Sequence, residues 1–212
     1  MKTFPYKVLA AILLLGCAAC SNLPGMQSSP VSGGDSLCSN EYYPVAEGNT
    51  WDYRITVHKP EVPDTLLFQR TEIVEIMADG FTVYPNISRT GEFETVPESS
   101  RQYVRWECHP EGLFLPGSGR EGITVAKTME PGSTWKTTEP GSDYEIVYTV
   151  EGMEQVEVPA GTFEALKVQV DDGGEGQSIF KWYAPGVGVV REYAEFEGLD
   201  TWTLIELLAH GN

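Results

Sequence analysis

Residues 144–170, "YEIVYTVEGMEQVEVPAGTFEALKVQV", decide the fold. Tyr144, Ile146, Tyr148 and Val150 alternate with Glu145, Val147 and Thr149. A repeat of two puts one set of side chains on each face of a strand, whereas a helix would repeat every 3.6 residues. Aromatic and β-branched residues suit that pleated surface. Gly152 is expected to mark a turn before Val156 and Val158. Pro159-Ala160-Gly161 is expected to turn the chain into the next run, Phe163 to Val170.

The same alternation extends in both directions. Trp51, Tyr53, Ile55 and Val57 alternate with Asp52, Arg54 and Thr56. Ile73 to Met77 and Phe81 to Tyr84 flank Ala78-Asp79-Gly80, and Asp-Gly between apolar runs is a hairpin signal. Pro110-Glu111-Gly112 separates the run ending at Cys108 from Leu113-Phe114-Leu115. Ile179 to Tyr183, Val187 to Phe196 and Trp202 to Leu208 are each bounded by Gly, Pro or Asp. Leucines give Thr201 to Ala209 some helical character, but Thr201, Trp202, Thr203 and Ile205 favour a strand. Many short strands with regular turn signals predict an all-β protein, an antiparallel sandwich or an open or closed barrel. Gly48-Asn49-Thr50-Trp51 and Gly132-Ser133-Thr134-Trp135 share one pattern at the start of two expected strands. Either the chain contains a duplication, or a turn before a large aromatic has simply occurred twice.

The N-terminus reads differently. Lys2 and Lys7 precede the apolar run Val8 to Gly16, and small residues follow, as in an export signal. That run is too short to span a bilayer, which takes about 20 apolar residues. Leu14-Leu15-Gly16-Cys17 resembles the lipobox of bacterial lipoproteins. The resemblance implies diacylglycerol on the thiol, cleavage before that cysteine and acylation of the new amine, with palmitate-type chains holding the protein to a membrane. Cys17 is favoured as the lipidated residue, because Leu14 stands where an apolar residue is wanted. Cys20 is the alternative, and it leaves the remaining cysteines as an even pair. Ala18 or Ser21, rather than Asp, follows the lipidated cysteine, which by resemblance implies the outer membrane.

The expected organisation is a signal at 1–16 (1–19 if Cys20 is lipidated), a linker at 17–40 and one β-domain at 41–212. Ser, Gly, Pro and Asn dominate Ser21 to Asn40, a flexible tether reaching roughly 25 Å. Removing the signal with its two lysines takes the formal charge from -17 to -19. Such acidity excludes nucleic acid as a partner, since binding it needs Lys and Arg to neutralise phosphates. It favours solubility, the alternative being recruitment of a basic partner or divalent cations; an envelope protein is the partner expected beside the membrane. Cys38 and Cys108 are candidate disulfide partners in an oxidising compartment, the alternatives being two unpaired thiols or Cys38 left free in the linker.

Three stretches carry a further resemblance. "YYPVAEGNTWDY" (Tyr42 to Tyr53), "VEVPAGTFEALKVQ" (Val156 to Gln169) and "KWYAPGVGVVREY" (Lys181 to Tyr193) together resemble a group of bacterial exported β-proteins and lipoproteins with no established activity. The group's architecture is similar to the half-barrels of lipoprotein carriers, which implies a cavity for an acyl chain.

Catalytic signals are sparse. Gly117-Ser118-Gly119 lacks the frame of a nucleophile elbow. His58, His109 and His210 are scattered, without metal-binding spacing. Asp171, Asp172 and Glu175 lie in the densest acidic cluster and are the candidate cation ligands, but their spacing does not match an EF-hand and a solvated hairpin loop is the preferred reading. No cofactor is implied. The chain therefore reads as a non-enzymatic, outer-membrane-anchored lipoprotein facing the periplasm, a binding or assembly module. Its rivals are a carrier of a lipid or other apolar ligand and a hydrolase.

Overall fold

The structure is a computed structural model that describes residues 37–116, 121–138, 144–171, 176–196 and 198–211. The expected signal, Cys17, Cys20 and most of the linker lie outside the described residues, as do Asp172 and Glu175.

Thirteen strands form in chain order: β1 (Thr50–His58), β2 (Thr65–Met77), β3 (Gly80–Ser88), β4 (Val104–His109), β5 (Gly112–Phe114), β6 (Glu121–Gly122), β7 (Val125–Ala126), β8 (Thr134–Thr138), β9 (Glu145–Val158), β10 (Gly161–Asp171), β11 (Gln177–Ala184), β12 (Gly188–Phe196) and β13 (Thr201–Gly211). They make one antiparallel sheet in the order β6-β8-β9-β10-β11-β12-β13-β1-β2-β3-β4-β5-β7. There is no second sheet among the described residues, so the sandwich alternative is set aside. The strands are also not uniformly short, β2 running for 13 residues and β9 for 14.

The two edges of this sheet lie side by side. β6 is at one end of the strand order and β7 at the other, yet only Ile123 and Thr124 separate them in the chain. Three peptide steps reach about 11 Å at most. The segment 121–126 pairs first with β8 and then with β5. The sheet is therefore curled almost full circle without being a hydrogen-bonded closed barrel, because β6 and β7 do not pair with each other.

Irregularities in the ladder supply the curl. Register shifts occur in four pairings: between Asp52 and Tyr53 in β1, Ile73 and Glu75 in β2, Lys167 and Val168 in β10, and Trp182 and Tyr183 in β11. A bulge adds a residue to one strand and sharpens its twist. Gly152 belongs to such a bulge. It lies within β9, at φ 154°, rather than at the expected turn. β9 therefore continues unbroken to Val158.

Alternation sorts the side chains. Ile73, Phe81, Val83, Ala165, Val168, Val190 and Leu207 show no accessible surface. A ladder of polar and aromatic side chains joins five strands. Arg191 stacks over Trp182, Glu206 takes Arg191 at 3.6 Å and Arg54 at 2.6 Å, and the Trp182 indole N–H donates to the Glu154 carboxylate.

A strap made of residues 38–49 crosses the end of the curled sheet that carries the β2–β3, β4–β5 and β11–β12 turns. Cys38 is joined to Cys108 by a disulfide. The Asn40 amide donates to the Ala126 carbonyl at 3.0 Å, and the Gly186 N–H donates to the Glu41 carbonyl at 2.8 Å. Tyr43 then packs within 6 Å of the ring centroids of Trp51, Phe81 and Trp106. Cys38 and Asn40 are both buried, so packing begins within the last residues of the expected linker.

Candidate functional site

Curling the sheet leaves a cavity of about 250 Å³ on its concave side. Ten of the strands and the strap contribute to its wall. β1 supplies Trp51, Tyr53 and Ile55, and β11 supplies Gln177, Ile179, Lys181 and Tyr183, each set spaced by two as the pleat requires. Ile146, Val170 and Ile205 add apolar surface. A small-molecule site is typically an apolar concavity of about 300–1,000 Å³ with a few placed polar groups. At about 250 Å³ this cavity falls just below that range.

Its most polar feature is one ion pair. Lys181 and Glu192 are direct cross-strand partners on β11 and β12, and Lys181 Nζ lies 2.9 Å from a Glu192 carboxylate oxygen. About a quarter of each side chain remains accessible, 28% and 24%, and since both line the cavity this surface faces its interior. Burial alone would push the Lys181 pKa down. The Glu192 carboxylate, with Tyr183 and Tyr148, more than offsets this and holds it above the ordinary lysine value. Tyr43, Tyr53 and Tyr183 stand among the four tyrosines of the wall. Burial pushes Tyr183 up to about 12 and raises Tyr43 and Tyr53 as well. These phenols are neutral at physiological pH, so the cavity holds one cation, one anion and neutral hydroxyls.

β12 and the turn before it anchor two of these groups. Tyr53 OH donates to the Val189 carbonyl at 2.9 Å, and the Trp51 indole N–H donates to the Val187 carbonyl at 2.6 Å. Gly188 lies beside the Trp51 indole and adopts φ 106°, a backbone conformation that favours glycine. Three buried polar atoms of the wall have no hydrogen-bond partner among the described residues: Trp106 Nε1, Thr137 Oγ1 and Gln177 Nε2. A buried donor or acceptor left unpaired costs about 1–3 kcal/mol, so each gains from any partner that reaches it.

The residues singled out from sequence fall elsewhere. The Cys38–Cys108 bridge ties the strap to β4, and neither cysteine lines the cavity. Asp171 ends β10. Among the described residues no three His, Cys, Asp or Glu side chains gather as metal ligands. His58 meets Asp64 at 2.8 Å and stacks on Trp202, His109 lies 3.6 Å from Glu107, and His210 touches Phe163. Lys181 and Glu192 were not singled out, although both fall within "KWYAPGVGVVREY". The available signal was a lysine in phase with Ile179 and Tyr183, on the face the alternation assigns to the interior.

The comparisons agree with this architecture. A family model described as DUF3108-like matches residues 143–195, which include two of the three resembling stretches and leave out Tyr42 to Tyr53. No curated protein matches the chain. Among solved structures, a candidate exported protein with a YmcC-like fold from Bacteroides fragilis superposes with a TM-score of 0.52 at 14% identity, covering 82% of this chain and 100% of its own. A candidate lipoprotein from Parabacteroides distasonis gives a TM-score of 0.49 at 13% identity, over 82% of this chain and 99% of its own. The hypothetical lipoprotein YmcC from Escherichia coli gives 0.34 at 10% identity, over 76% and 85%. The chain thus has the YmcC-like fold of the Bacteroides fragilis protein, a single antiparallel sheet curled short of a closed barrel.

Proposed function

We propose that this chain is an exported, lipid-anchored protein of the bacterial outer membrane that binds a small, mainly apolar ligand in its cavity and catalyses no reaction. In this reading Cys17 carries the anchor, with Cys20 the alternative, and the β-domain faces the periplasm. Export agrees with the name given to the Bacteroides fragilis protein of the same fold.

The observation that carries the binding role is the cavity wall. It joins apolar side chains from widely separated strands to three buried polar atoms that have no partner among the described residues. Assembly with an envelope protein, the other expectation, has no comparable feature behind it among the described residues.

Titration with the uncharged fluorophore N-phenyl-1-naphthylamine tests the cavity. Saturable binding at about one probe per chain is expected, and it is lost in Ile179→Trp, whose indole occupies the cavity. Probe binding that Ile179→Trp leaves unchanged contradicts the reading. The anchor has its own test in the intact mass of the mature N-terminal peptide. An acylated cysteine at position 17 is expected, and an unmodified peptide contradicts lipidation.

A further inference from the structure

The wall of the cavity also constrains the charge of what enters it. Lys181 and Glu192 already neutralise each other at 2.9 Å. A carboxylate or ammonium ligand brings a further charge into an enclosed, largely apolar space, and a buried charge without a partner is heavily penalised. It must either remain unmatched or compete for one member of the existing pair and strand the other.

The unpartnered polar atoms give the sense of the recognition. Trp106 is 6% exposed, and its indole N–H can only donate. Thr137 is 2% exposed, and its hydroxyl can donate or accept. The Gln177 amide nitrogen is a donor as well. Thr137 and Gln177 stand toward the end of the sheet that carries the β8–β9 and β10–β11 connections, and Trp106 stands toward the strapped end beside Tyr43. Unpaired donors therefore belong to wall residues at both ends of a net-neutral chamber. On the reading that the cavity is a ligand site, we infer that it selects uncharged ligands bearing hydrogen-bond acceptors, such as esters or ketones of short aliphatic chains, and turns away carboxylates and amines of the same size.

The test compares methyl octanoate, octanoate and octylammonium on the full chain held in lipid nanodiscs, with matched empty nanodiscs subtracted and tryptophan fluorescence as readout. The ester is expected to bind at least about tenfold more tightly than either ion. In Glu192→Gln, which leaves Lys181 unmatched, octanoate gains at least about tenfold relative to the ester. In Lys181→Gln, which leaves Glu192 unmatched, octylammonium gains instead. If one variant fails to fold by circular dichroism, the other carries the charge test, and the wild-type ranking stands without either. Octanoate or octylammonium binding the wild type as tightly as the ester overturns this inference and leaves the cavity reading intact. Absence of binding by all three compounds overturns both.

Discussion

Tyr43, Tyr53, Tyr183 and Lys181 occupy one enclosure, and all four bind their protons more tightly than the free side chains do. The cause for the tyrosines is burial, which disfavours the phenolate. For Lys181, burial works the other way and the carboxylate of Glu192 prevails. The consequence for stability has one sign. Above a pH of about 10 the phenols of the unfolded chain lose protons that the folded chain retains up to about 12 at Tyr183, so the unfolded state binds fewer protons and stability falls as pH rises. The contribution of Lys181 is complete below the ordinary lysine pKa and is lost as pH rises through its elevated value. The thermal midpoint is therefore expected to decline steeply above about pH 10, with tyrosinate absorbance appearing together with unfolding. Full tyrosine titration in a protein that keeps its folded circular dichroism would contradict the enclosure.

Glycines at the ends and bends of strands explain what was legible of the elements. The two Gly-polar-Thr-Trp stretches fold alike. Gly48 N–H donates to Ile73 O at 2.8 Å while Ile73 N–H donates to Asn49 O at 2.9 Å, and Gly132 with Ser133 makes the same exchange with Val150 at 2.8 and 3.0 Å. Gly48 has φ 85° and Gly132 φ 87°, with open space where a Cβ would sit. Gly48→Ala and Gly132→Ala are thus each expected to cost about 1–2 kcal/mol through backbone strain alone. Near-equal shifts in urea midpoint support equivalence of the two strand entries, and a cost confined to one position contradicts it. Strand positions were readable because alternation is a local property. The purpose of particular glycines was not. Asp79-Gly80 signals a hairpin, yet the two-residue loop is Ala78-Asp79, and Gly80 already pairs with Met77. Gly80 is needed because a Cβ would lie 2.1 Å from the Trp106 carbonyl oxygen, a contact with another strand that no local pattern records. Gly152 looked like a turn for the same reason, since a bulge and a turn both use glycine and only the partner strand distinguishes them.

In the whole molecule, a curled sheet and a strap combine. The sequence announces an all-β chain, and the odd-numbered residues of β11 show which side chains share a face. It does not show that segment 121–126 serves both edges of the sheet, because that depends on which distant strands meet. Lys181 and Glu192 stayed hidden for a related reason: their meeting is a matter of register between β11 and β12. The strap depends on the Cys38–Cys108 bridge, whose partners are 70 residues apart. Closing a loop of that size removes about 4 kcal/mol of chain entropy from the unfolded state in the simple model. Reduction is therefore expected to lower the urea midpoint markedly, and a midpoint unchanged by dithiothreitol contradicts the structural weight placed on the strap.

The binding role rests finally on what the protein holds in its own envelope. Wild type and Ile179→Trp, isolated from membranes side by side, can be extracted with organic solvent and the extracts compared by mass spectrometry. An uncharged compound present at about one molecule per wild-type chain and missing from the tryptophan variant is the expected result. Identical extracts from the two proteins, with both folded, contradict a ligand-binding cavity.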